Sequence, residues 1–236
     1  MKDINVYGPI GDAWSDDAVR ASDFANALKD ADGDDVTIHI NSGGGDVFDA
    51  NTMAETLRAY KGRSIASIEG LAASAASYFA LTADEVVINP SALVMIHNPY
   101  CRAYGDAEEI RKTADMLDKV RGTISGQYAR KTGKEASEIE ELMDAETWFT
   151  ADDAIEFGLA DRMSDAEPVA ACVDASIMKG FKHAPKALTS NEAAAGEPSQ
   201  TIDRNASAPE AGAAEGAAGA AASVVCVNGA FLKVGC

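Results

Sequence analysis

Apolar and polar residues alternate along Ile4-Asn5-Val6-Tyr7 until Gly8-Pro9 breaks the pattern, which predicts a short strand. From Asp16 to Leu28 the apolar residues recur at helical spacing. Val36-Thr37-Ile38-His39-Ile40 is again strand-like and runs into the turn Asn41-Ser42-Gly43-Gly44-Gly45. Val47 to Tyr60 reads as a helix with Ala50, Met53, Ala54 and Leu57 on its core face. Ser64 to Gly70 predicts the next strand and Ala72 to Leu81 a helix of small residues. Two short strands follow, Glu85 to Ile88 and Leu93 to His97. Ala107 to Thr132 is a long helix and Ala136 to Met143 a shorter one. Thr150 is placed to cap a helix over Ala151 to Phe157, which Gly158 closes. Strands separated by helices imply parallel crossovers, hence an α/β fold with no internal repeat.

The pattern stops at about residue 165. The chain therefore divides into a domain over 1–165, a variable stretch over 166–190 and an extension over 191–236. The extension is rich in alanine, as in Ala193-Ala194-Ala195 and Ala217-Ala218-Gly219-Ala220-Ala221-Ala222, and has almost no large apolar side chain before Val224. Such a composition does not bury enough surface to offset chain entropy, so disorder is expected there. The last residues, Val224 to Val234, fit a short hairpin around Asn228-Gly229.

Composition narrows the function classes. With 38 Asp+Glu against 20 Lys+Arg, the net charge is −18, of which −3 falls on 191–236 and −15 on the rest. Phosphate recognition needs clustered basic residues, so nucleic acid and anionic membrane are not expected partners. No apolar run reaches membrane-spanning length and the start lacks a signal-type apolar segment, so no membrane association is expected. The cysteines (Cys101, Cys172, Cys226 and Cys236) are scattered without a C-x-x-C pair, which suggests neither zinc nor a disulfide framework and implies a reducing, cytoplasmic setting.

Three segments carry candidate chemistry. The glycines of Asn41-Ser42-Gly43-Gly44-Gly45 let backbone N–H groups approach an anion or a developing oxyanion, although the same residues also serve a tight strand–helix turn. It is not the dinucleotide fingerprint, because G-x-G-x-x-G is absent. In Gly70-Leu71-Ala72-Ala73-Ser74-Ala75-Ala76-Ser77, Ser74 stands near a helix start among residues no larger than alanine, open to an incoming carbonyl. Close helix packing explains the same small residues, and it suits Ser77 better than catalysis does. His97, at the end of an apolar strand, is a candidate general base, while His39 and His183 fit structural roles. Asp144 and Glu146, just before Trp148-Phe149-Thr150, are carboxylates available to orient its ring; both are also readable as solvated surface acids.

Taken together, these blocks resemble the proteolytic subunit of the Clp protease, the S14 serine peptidases. Asn41-Ser42-Gly43-Gly44-Gly45 resembles the family's N-S-P-G-G, with Gly43 in place of proline. Gly70 to Ala75 resembles the block around the family's nucleophile, and Val94-Met95-Ile96-His97-Asn98-Pro99 the block around its histidine. Phe149 to Asp161 resembles the block that follows its acid. The resemblance spans roughly residues 4–165 and implies the ClpP/crotonase-like fold, with the family's long handle helix over Asp106 to Thr132. It implies Ser74 as nucleophile, His97 as general base, and the Gly45 and Ala75 N–H groups as the oxyanion hole. The family's aspartate falls on Glu146, with Asp144 as the alternative acid.

Neither cofactor nor metal is implied. A homo-oligomer acting on protein substrates is. The family's propeptide and axial loops have no counterpart before Ile4, which counts against a Clp ATPase partner. A ClpP-like core with an Ala-rich extension is similar to phage head maturation proteases, which cleave scaffold and capsid proteins. That reading puts the chain in the host cytoplasm or the procapsid. The alternatives are an ATP-dependent Clp proteolytic subunit, a crotonase-type acyl-CoA enzyme, and a non-catalytic ClpP-fold capsid assembly component.

Overall fold

The structure is a computed structural model that describes residues 1–11, 18–165, 181–185, 224–227 and 230–233. In chain order the elements begin with β1 (Lys2–Tyr7), α1 (Ala21–Ala31), β2 (Val36–Ser42), α2 (Val47–Arg58), β3 (Ser64–Ala73) and α3 (Ala75–Ala80). There follow β4 (Glu85–Ile88), β5 (Leu93–Ile96), β6 (Cys101–Arg102), α4 (Ala107–Thr132) and α5 (Ala136–Asp144). The described chain ends with β7 (Thr147–Phe149), α6 (Ala151–Phe157), β8 (Arg162–Met163), β9 (Val224–Val227) and β10 (Ala230–Lys233).

The architecture is α/β. Strands β1, β2, β3, β4 and β8 lie side by side in that order, all parallel. Parallel strands need crossover helices, and α1 and α2 supply them between β1, β2 and β3. The core sits between sheet and helices: Val6, Ile38, Ile40 and Ile68 from the strands meet Phe24, Met53 and Phe79 from the helices. Phe24 and Phe79 pack edge to face with centroids 5.2 Å apart.

β3 is the pivot. Its first half, Ile65 to Ile68, pairs with β4, while its last three residues, Leu71 to Ala73, pair with β5. The sheet thus forks at Gly70. Sequence reading ends the strand there, because glycine is read as a breaker; the backbone continues in strand form to Ala73, and α3 starts only at Ala75. β5 in turn pairs antiparallel with β7, a departure from an all-parallel sheet.

Other boundaries also move. The helix expected from Asp16 begins at Ala21: Val19 instead forms a parallel bridge with Ile10, and Asp16 lies outside the described residues. α4 runs over the expected residues because both ends are capped, by a capping box of Asp106 and Glu109 and by left-handed Gly133. The hairpin expected near the C-terminus is present as β9 and β10, and β9 pairs antiparallel with β6. Most of 166–223 lies outside the described residues, and with it the expectation of disorder. Among the described residues no helix is long and apolar enough to cross a membrane.

His39 has a structural partner set on the outer sheet face. Its Nδ1 lies 2.7 Å from Glu69 and its Nε2 3.2 Å from Asp3, and the Tyr7 hydroxyl donates to Glu69. Burial pulls the imidazole pKa down, but the hydrogen bonds and charges of Glu69 and Asp3 outweigh it and the net shift is upward. A folded-state pKa above the unfolded value stabilises fully below about 6.5 and is lost as pH rises through the folded value. His39→Gln is therefore expected to destabilise the protein more at pH 5.5 than at pH 8.5, with a difference on the order of 1 kcal/mol or less. Parallel thermal melts check it; an equal loss at both pH values contradicts the assignment.

Candidate functional site

The fork in the sheet brings the candidate residues together. Ala73 is paired with Met95, so the chain leaves β3 and β5 at adjacent points, one residue before Ser74 and two before His97. The Ser74 N–H donates to the Met95 carbonyl at 2.9 Å, which locks the two strand ends. Ser74 alone separates β3 from α3, with φ 55° and ψ −126°. A non-glycine residue in that region costs on the order of 1–3 kcal/mol and persists only where its surroundings hold it. The tight strand–turn–helix geometry lifts the serine side chain out of the sheet. Its Oγ lies 2.8 Å from His97 Nε2.

The turn is held from below. Ser77 Oγ donates to the Ser74 carbonyl at 2.6 Å and lies 2.6 Å from the Tyr128 hydroxyl of α4, so α4 reaches the serine turn through two hydrogen bonds. Ser77 is thus a support of the turn, as its expected packing role implies; Tyr128 carries no sequence signal for this contact.

The glycine loop lies against the same turn. A Cβ on Gly44, at φ +89°, would come within 2.6 Å of the Ala73 carbonyl and 2.8 Å of both Ala75 N and Ser74 Cβ. One on Gly45, at φ +153°, would sit 2.1 Å from the Ile10 carbonyl. Only glycine permits this approach. Ile10 and Gly45 form a parallel bridge in which Ile10 N–H donates to Gly44 and Asp46 N–H to Ile10. Among the described residues, neither the Gly45 nor the Ala75 N–H has a protein acceptor.

β7 delivers the carboxylate. Met95 is paired with Trp148 and Ile96 with Thr147, the last pair of that ladder, so His97 and Glu146 are the next residues beyond it on the two chains. Glu146 is buried, with φ 51°. Its Oε1 accepts from His183 N–H at 2.6 Å and from the Trp148 indole N–H at 3.4 Å, and its Oε2 accepts from Lys182 N–H at 2.9 Å. Among the described residues no hydrogen bond joins Glu146 to the His97 ring, so its influence there is that of a nearby charge. Asp144 is engaged elsewhere: its Oδ1 accepts from Asn98 Nδ2 at 2.6 Å and from Arg121 Nη2 of α4 at 3.0 Å, and its side chain is more than half exposed. A cavity of about 500 Å³ opens beside His97, lined in part by Tyr100, Asp144, Glu146 and His183.

The electrostatics suit a base kept neutral. Burial pulls the His97 pKa down to about 4, against the upward pull of the Glu146 charge, and the Lys182 ammonium adds to the lowering. A neutral imidazole with Nε2 at a serine hydroxyl can accept its proton. The structure thus gathers Ser74, His97, Glu146, Gly45 and Ala75 in one place and turns Asp144 toward α4. Sequence reading passes over Trp148 and the segment around Phe181, because neither sits in a recurrent spacing.

A family model described as Clp protease matches residues 2–167. Among solved structures, a point mutant of ClpP1 from Listeria monocytogenes superposes with a TM-score of 0.60 at 24% identity, covering 70% of this chain and 92% of that one. That likeness concerns the fold, which is ClpP-like. The match in sequence takes in the glycine loop, the serine turn, the histidine strand and Glu146 in a single span, and on it the chain belongs to the Clp protease family.

Proposed function

We propose that this chain is a serine endopeptidase in which Ser74 is the nucleophile, His97 the general base and Glu146 the acid. The observation that carries the reading is the 2.8 Å contact of Ser74 Oγ with His97 Nε2 at a strained one-residue turn. In acylation, His97 takes the Ser74 proton as Oγ attacks the peptide carbonyl. The Gly45 and Ala75 N–H groups receive the developing oxyanion. Collapse of the tetrahedral intermediate expels the amine, which takes the proton back from His97. Water, deprotonated by His97, then cleaves the acyl-enzyme and regenerates Ser74. Glu146 stabilises the imidazolium in both steps through its charge. Neither metal nor cofactor takes part in this scheme.

The finer reading is a phage head maturation protease, a homo-oligomer that cleaves scaffold or capsid proteins. What favours it over a housekeeping role is the Ala- and Glu-rich composition of 191–222, which suits a scaffold-like tail. Co-expression with a phage capsid protein as candidate substrate tests this directly. Capsid truncation that requires Ser74 supports it; an intact capsid beside an active peptidase leaves the chemistry standing and removes the role.

Two kinetic outcomes follow for the chemistry. Ser74→Ala is expected to reduce fluorogenic peptide hydrolysis by about 10³-fold or more, with the fold retained by circular dichroism. The acid limb of kcat/KM against pH is expected well below the usual histidine value of 6.5, displaced toward about 4. The same depression has a stability consequence. The unfolded imidazole binds a proton that the folded one refuses, so stability falls as pH drops from about 6.5 toward 4. An acid limb at or above 6.5 contradicts the buried neutral base.

A further inference from the structure

The segment Phe181 to Ala184 lies beyond the residues matched to the family, yet it is built into the site. The Phe181 ring meets His97 edge-on with centroids 5.8 Å apart and meets Trp148 in the same manner at 5.5 Å. Phe181 and Ala184 close over an apolar patch formed by Leu71, Ala73 and Met95. These residues lie on β3 and β5, the strands that end at Ser74 and His97. Successive backbone amides, those of Lys182 and His183, then donate one to each oxygen of Glu146, at 2.9 and 2.6 Å. His183 Nδ1 donates to the Ala145 carbonyl at 2.9 Å, which pins the segment to the residue before the acid.

We propose that residues 181–184 form a positioning strap for the catalytic acid: the Lys182 and His183 amides fix the Glu146 carboxylate opposite His97, and Phe181 shields the imidazole from water. The strap rests on the reading of Ser74, His97 and Glu146 as peptidase machinery. It answers a specific need of this chain. Glutamate has one more rotatable bond than the aspartate its family uses, so its carboxylate has more positions to choose from. It also stands at a left-handed backbone position, where local structure alone does not hold it. Hydrogen bonds from backbone N–H groups to a charged acceptor are roughly twice as strong as neutral ones and are directional, so a pair of them selects one rotamer. Phe181 is anchored at the same time by an apolar patch on the strands that carry the nucleophile and the base. Acid, base and nucleophile are thereby referred to one surface.

The test uses the full chain and the second-order rate of labelling by a fluorophosphonate, followed by intact mass. His183→Pro deletes one of the two amides. It is expected to slow labelling by about tenfold, the loss appropriate to one charge-assisted hydrogen bond. In a Glu146→Gln background the same substitution is expected to slow it by less than about twofold, because the strap acts through the carboxylate. A strap with a merely structural role gives the same loss in both backgrounds and overturns the proposal. Equal or faster labelling of His183→Pro overturns it as well, since the segment then obstructs the site or does nothing. Circular dichroism and gel filtration establish that each variant is folded. If His183→Pro is not, Lys182→Pro, which deletes the other amide, carries the comparison in the same two backgrounds, with a loss expected in the first that shrinks in the second. A folded wild type that resists the probe defeats the peptidase reading itself; a labelled wild type with an indifferent strap defeats the strap alone.

Discussion

The Ser74 amide donates to the Met95 carbonyl at 2.9 Å, and the geometry of the site depends on that one bond. It exists because β3 changes partner at Gly70: its first half is spent on β4, and its end is free to pair with β5. Two strand ends are thereby held in register at the point where both stop. The serine then has no room for an ordinary turn and adopts a left-handed one, supported by Ser77 and Tyr128 beneath it. Strain at Ser74 is the local cost of holding its hydroxyl at the imidazole.

The second constraint is burial. Burial, more than any single charge, sets the protonation of His97. A base that is neutral over most of the pH range is useful only if the cation formed during acyl transfer finds a counter-charge. Glu146 directly precedes β7, which pairs back along β5, so the same sheet that sets Ser74 against His97 also brings Glu146 near them. Asp144, two residues earlier, lines the same cavity but is engaged by Arg121 and Asn98, and so ties α4 and α5 to the loop after His97.

Much of this was legible in sequence, for identifiable reasons. α4 and α6 could be read to the residue, because Asp106, Gly133, Thr150 and Gly158 are strong end signals. Ser74 and His97 stood out because each is a reactive side chain at the end of a small or apolar run. The end of β3 was not legible, since a glycine at a sheet fork looks like a glycine at a strand end. Neither was the start of α1: Val19 sits at helical spacing, but it is drawn into a bridge with Ile10, a contact outside its own neighbourhood. β7 has only three residues, too few for alternation to show. The separate surroundings of Glu146 and Asp144 and the contacts of Phe181 to His183 needed the fold, because their partners are far away in the chain.

The central claim is that Ser74 is the activated nucleophile, and the most direct measurement is the site of covalent capture. After exposure to a fluorophosphonate, peptide mapping by mass spectrometry is predicted to place a single phosphonyl group on Ser74, and to find none on folded Ser74→Ala protein. An adduct on another residue, or none on a folded wild type, would contradict the account.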